Sequence, residues 1–331
     1  MKNILLTGVL RPLRFIPQQW SSIGTTTRKM GSLSVKDFKS VRFFTKDRVA
    51  HIVLNRPNLL NAIDKHMPFE IQTAVQKANF DEEVHVILLY GAGDVFCAGY
   101  DLKSYAEEKP RDLEKQDDDI PDYVNQKMPW DPALDYQFMA TVTNAYMEIW
   151  RSMKPVVAKI KRVAIGGGSD IALACDLTFM EKHSKIGYPP SVIWGCPTSA
   201  FWTFRVGMEK AKRILFTGEL LTGEKAERIG LIGESVEGNE ELDKRVDQVL
   251  QRLVTVPKNQ LWYQKSVVNH VVEQQGLLSA QRLSIIYDGM SRHSPEGIQF
   301  QRRCMEIGFK KAVRERDSGK ETIWSHMKRE T

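Results

Sequence analysis

The 331-residue chain has no run of eighteen or more apolar residues, so no segment is long enough to cross a bilayer as a helix. Cysteine is sparse. Cys97, Cys175, Cys196 and Cys304 form no CxxC pair and show no metal-like spacing with histidine. That excludes a disulfide scaffold and a cysteine-held metal, and it fits reduced thiols in a reducing compartment. Acidic side chains are missing from residues 1–30, which carry Lys2, Arg11, Arg14, Arg28 and Lys29. The formal charge of +6 therefore falls to +1 over the rest of the chain. A body so close to neutral, without a basic helix, argues against a nucleic-acid surface. The leader is acid-free, Arg-containing and Ser/Thr-rich, the composition of a mitochondrial transit peptide, and its apolar stretch ILLTGVL is too brief for a secretory signal. A mitochondrial matrix location is the expectation.

What remains is long enough to bury a sizeable core. VRFFTKD and VAHIVLNRP read as two strands of a hairpin joined at Lys46-Asp47-Arg48. Residues 65–79 have helical spacing, with Phe69, Ile71 and Val75 on one side, and VHVILLYGAG is a buried strand ending in glycine. KPVVAKIK and CDLTFME are further strands flanking a glycine triplet, so the pattern predicts an α/β core over 38–238. At about 104–138 regularity fails: residues 104–136 hold ten acids, four bases and four prolines, an exposed insertion that is either a lid or a disordered excursion. Trp130 and Tyr136 near its end either fold over a cavity or simply pack. From 239 to 320 apolar residues recur at three- and four-residue spacing, which predicts a helical C-terminal region, and SPEG supplies a Ser N-cap followed by Pro.

The chemistry-bearing stretch is VAIGGGSDIALACD, residues 163–176. Three glycines between a strand and a helix leave backbone N–H groups uncovered and allow close approach of a ligand. Such amides suit a phosphate or a developing oxyanion; the plain alternative is close helix–strand packing. GGGSD matches neither GxGxxG nor GxxxxGK[ST]. Asp170, just inside the helix, is either a capping carboxylate or an acid/base. A second small-residue turn, Ala98-Gly99, lies in DVFCAGYDLKSY.

FCAGYDL and KPVVAKIKRVAIGGGSDIALACDL, with LNRPNLLNAI at 54–63 and LFTGELLTGEKAERIGLI at 215–232, together resemble the crotonase superfamily, the enoyl-CoA hydratase and isomerase family. The resemblance spans roughly residues 38–316. It implies a spiral of ββα turns with a helical C-terminal trimerisation region, assembling as a homotrimer or a dimer of trimers. It also implies a coenzyme A thioester as substrate, with no separate cofactor and no metal. By position, the thioester oxygen would meet the backbone amides of Ala98 and Gly167, with Leu60, Gly99, Tyr100 and Asp101 also at the substrate. Two preorganised donors favour an enolate over the ground-state carbonyl.

Hydratases of this family use two glutamates, one activating water and one delivering a proton to the α-carbon. The first corresponds to Asp170 here, shorter by one methylene, about 1.5 Å of reach. The second falls in GYPPSVIWGCPTSA, residues 187–200, at Pro190 or, with the gap placed differently, Ser191. Neither is an acid. The dienoyl-CoA isomerase branch also begins with Asp, but where it adds two acids this chain has Pro190 and Thr198. Three accounts stay open: a one-base isomerase using Asp170; a hydratase or lyase recruiting Tyr188, Ser191 or an acid from 104–138; or an acyl-CoA-binding protein with little turnover. Trp130, Trp194, Phe201 and Trp202 either line the acyl pocket or fill the core.

Overall fold

The computed structural model describes residues 34–101 and 130–318. The leader at 1–30, most of the acidic insertion and residues 319–320 lie outside the described residues. The expected hairpin is present. Strands β1 (Val41–Lys46) and β2 (Val49–Leu54) pair antiparallel. The two-residue turn between them, Asp47-Arg48, has φ of 49° and 65°, the mirror-image turn that matches strand twist. Strands β3 (Val86–Gly91), β4 (Val156–Ile160), β6 (Leu177–Glu181) and β9 (Glu234–Val236) continue the sheet in parallel, in the order β1-β2-β3-β4-β6-β9. A smaller sheet holds β5 (Val163–Ile165), β7 (Lys185–Gly187) and β8 (Leu221–Thr222) in that order.

The helices are α1 (Met67–Phe80), α2 (Pro132–Tyr146), α3 (Glu148–Arg151), α4 (Gly167–Leu173), α5 (Phe201–Val206) and α6 (Met208–Thr217). They are followed by α7 (Gly223–Arg228), α8 (Asn239–Leu253), α9 (Lys258–Gln274), α10 (Leu277–His293), α11 (Pro295–Ile307) and α12 (Phe309–Asp317). Each spiral turn sends one strand into the large sheet and the next segment into the small one: β4 leads to β5 and α4, and β6 leads to β7.

The period-2 alternation of the strands divides the core. Ile87 and Leu89 join the main cluster with Ile52, Leu54, Ala158 and α1, while Val86 and Leu88 meet Val157, Phe179 and Leu242, Val246 and Leu250 of α8 on the opposite face. Burial on both faces is why these strands read as continuous apolar runs. Leu277 and Ile285 of α10 sit in the main cluster. Helices α8 and α10 thus pack onto the two faces of the sheet's core, while Phe300, Cys304 and Ala312 of α11 and α12 form a separate cluster with Trp194.

One boundary differs from the sequence reading. The irregular stretch ends at Asp131, not Phe138. Asp131 caps α2 by accepting from the amides of Ala133 and Leu134, and Pro132 occupies the first turn. The local excess of acid and proline hid an N-terminal cap. Phe138, Met139 and Val142 are buried on that helix. The Ser294 cap expected in SPEG is present, accepting from Gly297 N–H.

The C-terminal helices are tied to the sheet by a largely buried ion pair. Lys265 Nζ of α9 lies 2.8 Å from Asp176 Oδ2 and also donates to the carbonyls of Ile149 and Lys154. The same Asp176 oxygen accepts from Val156 N–H at the start of β4. Removing one partner strands the other's charge, so Asp176→Ala is expected to cost about 3–5 kcal/mol. Denaturant unfolding measures it, and an unchanged midpoint would show that α9 is held without this pair.

Candidate active site

Two consecutive turns of the spiral meet at a short ladder. Phe96 N–H donates to Lys161 O, Cys97 N–H to Val163 O, and Ile165 N–H back to Cys97 O, at 2.9–3.0 Å. Where the two strands leave the ladder, Ala98-Gly99 lies against Gly166-Gly167. A β-carbon built on Gly99 would stand 3.7 Å from Gly167 N. Gly166 has φ +56° and ψ −125°, a conformation essentially closed to residues with a β-carbon. At Gly168 a β-carbon would come within 2.6 Å of the Cys97 carbonyl oxygen. Packing and exposed amides are therefore both real consequences of the triplet.

The two amides differ. Gly166 N–H is used by Gly187 O, while Gly167 N–H meets no acceptor among the described residues. Ala98 N–H donates to Leu60 O at 3.1 Å, and Leu60 is in the left-handed conformation, φ 54°. Ala98, Gly99, Tyr100, Gly166 and Gly167 all line a cavity of about 290 Å³. Phe138, Met139 and Val142 of α2 form an apolar wall. Tyr188, Pro190 and Trp194 form another, and Phe309, Val313 and Arg316 of α12 complete it. Leu60 and Asp101 are not on the wall; Asp101 pairs with Arg56 at 2.9 Å.

Asp170 is fully buried and is not on the cavity wall, with Oδ1 accepting from Ser199 Oγ and Oδ2 without a partner among the described residues. Burial pushes its carboxyl up to about 7. The Ser199 hydroxyl and the amides of Ser199 and Thr198 pull the other way, and the charge of Asp288 pushes further up. The hydroxyls around it are held in place. Tyr146 OH bonds Thr198 Oγ1, and Tyr188 OH donates to Cys196 O at 2.9 Å. Burial and the Asp170 charge raise the Tyr188 phenol well above its ordinary value, so it is no base near neutral pH. Ser191 Oγ faces the carbonyls of Tyr188 and Leu215, at 2.7 and 2.6 Å, and is off the wall. Of the four aromatics singled out in the sequence, Trp194 alone lines the cavity; Phe201 and Trp202 are core. Trp130 stacks on His293 and, with Tyr136, borders a neighbouring hollow.

Sequence reasoning missed a buried triad. Arg292 Nη2 lies 2.9 Å from Asp135 Oδ1, and Arg292 Nε lies 3.2 Å from Asp288 Oδ2. Asp288 and Arg292 line the cavity. Asp288 and Arg292 are four apart on α10, the spacing of an ordinary surface ion pair, and Asp135 belongs to the stretch read as exposed. Among the described residues one set of metal-type ligands converges: Glu181, His183 and Glu237, within 4.8 Å of one another and away from this wall. Glu237 there already pairs with Lys182 and His183.

The family model described as enoyl-CoA hydratase/isomerase matches residues 45–126 and 118–299. A solved enoyl-CoA hydratase from Mycobacterium smegmatis is 36% identical with a TM-score of 0.78, over 86% of this chain and 96% of that one. A probable enoyl-CoA hydratase of Mycobacterium leprae is 28% identical over 71% of this chain and 84% of its own length. A relative from Dictyostelium discoideum, named a probable mitochondrial enoyl-CoA hydratase, is 27% identical over 80% and 81%.

Proposed function

This chain belongs to the enoyl-CoA hydratase/isomerase family, and on that premise we propose that it moves a proton at the α-carbon of an enoyl-CoA thioester, with the amides of Ala98 and Gly167 receiving the thioester oxygen and Asp170 as the acid/base. The observation that carries this reading is the junction of two spiral turns at the head of one cavity. It leaves Gly167 N–H without an acceptor, three residues before a carboxyl raised to about 7. Ala98 N–H has an acceptor in Leu60 O, and a thioester oxygen would share or displace it. An enolate oxygen, carrying more charge than a peptide carbonyl, is the better acceptor. Gly167 N–H, placed by the ladder and with no acceptor among the described residues, need not reorganise as that charge develops, which is where the rate gain arises. Asp170 exchanges a proton with the α-carbon, and a value near 7 keeps both of its forms populated at neutral pH.

Loss of α-proton exchange is the test. In D2O the enzyme is expected to exchange the α-protons of butyryl-CoA, with a rate that climbs as pH rises through about 7, because the ionised Asp170 is the base. Asp170→Asn is expected to slow exchange by about 100-fold or more and leave thioester binding within a few-fold. Exchange unaffected by the substitution would remove Asp170 from the chemistry. A parent enzyme that binds CoA esters yet exchanges nothing would favour the binding-protein reading.

Assembly as a homotrimer or dimer of trimers is supported by the outer faces of α9 and α10, where Val267, Val268, Val271, Leu283, Ile286 and Tyr287 are exposed together in one chain. Val268→Asp is expected to shift the sedimenting species toward the monomer, and a monomeric parent would overturn the assignment. A mitochondrial matrix location is supported by the acid-free, basic leader. Residues 1–30 fused to a fluorescent protein are expected to direct it to mitochondria, and a diffuse signal would reject the leader as a targeting segment.

A further inference from the structure

We propose that Asp288, brought to the cavity by α10, is the second carboxylate of this active site: it supplies the group missing at Pro190 and acts as the base that takes a proton from water as that water adds to the β-carbon. The inference rests on the reading of the site as an enoyl-CoA site with Asp170 at the α-carbon.

Position is the first support. A β-carbon built on Gly195 would stand 3.2 Å from the Pro190 β-carbon and 3.4 Å from Asp288 Oδ1. The Asp288 carboxylate and the Pro190 ring therefore border the same side of Gly195. Both belong to the wall that also holds Ala98 and Gly167. A carboxylate entering from α10 thus faces the same cavity as residue 190.

The orientation of Asp288 is fixed without exhausting it. Oδ1 accepts from Cys196 N–H at 2.9 Å and Oδ2 from Arg292 Nε at 3.2 Å. A carboxylate has about four lone-pair positions, so about two remain for water. Arg292 does not belong to Asp288 alone; its Nη2 donates to both oxygens of Asp135, at 2.9 and 3.1 Å. One guanidinium is thus shared between two buried carboxylates, a charge partner that favours the ionised form of Asp288 against its burial. The groups facing Asp288 are Arg292, Asp135, Tyr188 and Cys196. Burial raises the Asp288 carboxyl above its ordinary value; Arg292 and the Cys196 amide oppose the rise and Asp135 adds to it. Asp170, fully enclosed, has no cation among the groups acting on it but does feel the charge of Asp288. A guanidinium beside one carboxylate and a neutral hydroxyl beside the other favour Asp288 as the base and Asp170 as the acid.

The step balances. The water oxygen bonds to the β-carbon and its proton passes to Asp288. The π electrons move to the α-carbon through the thioester enolate, and Asp170 gives its proton to that carbon. Asp288 ends protonated and Asp170 ionised, and proton exchange with solvent restores both. No electron acceptor or further reactant is required.

The experiment compares two reactions in one protein: hydration of crotonyl-CoA and α-proton exchange of butyryl-CoA in D2O. Asp288→Asn is expected to lower kcat for hydration about 100-fold or more and to slow exchange by less than about tenfold. Adding Pro190→Glu to that variant is expected to return at least about tenfold of the lost hydration, a rescue that a merely structural role for Asp288 would not produce. Hydration within about tenfold of the parent in Asp288→Asn, or equal loss of hydration and exchange, would overturn the proposal. So would a parent that exchanges α-protons but adds no water. A parent that exchanges nothing would instead count against the enoyl-CoA reading itself.

Discussion

The site depends on a three-bond ladder between residues 96–97 and 161–165. Backbone hydrogen bonding of this kind is individually modest, but it sets the lateral register of two spiral turns. Register decides which amides emerge side by side. The ladder ends where both strands turn into small residues, and Gly168 must lack a side chain because the Cys97 carbonyl already occupies that space. A chain slipped by one residue would bring a different pair of amides to the cavity. The proposed chemistry is thus a consequence of strand pairing more than of any one side chain.

Buried acids give the site its second constraint. Asp170 is held above its ordinary value mainly by burial, so it ionises later in the folded chain than in the unfolded one. Its contribution favours the folded state below the ordinary carboxyl value and is lost as pH climbs through about 7. Asp176 solves the same problem differently. Burial raises it, Lys265 opposes that, and the result is a strut between β4 and α9 rather than a reactive group. Asp288 lies between these cases, paired but through an arginine that it shares. Asp170, Asp176 and Asp288 have three different partners, a hydroxyl, a lysine and a shared arginine, and the partner sets what each can do.

The sequence carried the fold class because hydrophobic alternation, the hairpin turn and four ordered family segments are local signals. The Asp47-Arg48 turn and the Ser294 cap were legible for that reason. The Asp131 cap was not, since ten acids nearby made a helix start look like more of the same exposed stretch. Asp170, Ala98 and Gly167 could be named from their motifs. The full burial of Asp170, and the engagement of Ala98 N–H by Leu60 O, are three-dimensional facts with no local signature. Leu60 and Asp101, named with the substrate-binding set, are off the cavity wall, Leu60 O accepting from Ala98 N–H and Asp101 pairing with Arg56.

Asp288 shows why such a residue escapes a linear reading. On α10, Gln281, Ile285, Asp288 and Arg292 are buried, while Leu283, Ile286, Tyr287 and Met290 are exposed. The usual polarity of a surface helix is partly inverted, with ionisable groups inward and apolar groups outward. Periodicity alone assigns the apolar stripe to the core and the Asp-Arg pair to solvent, which is the wrong face for both. The inversion has two physical conditions: inward charges need partners, supplied here by Asp135 and the Cys196 amide, and outward apolar groups need a covering surface, which a second copy of the chain would provide.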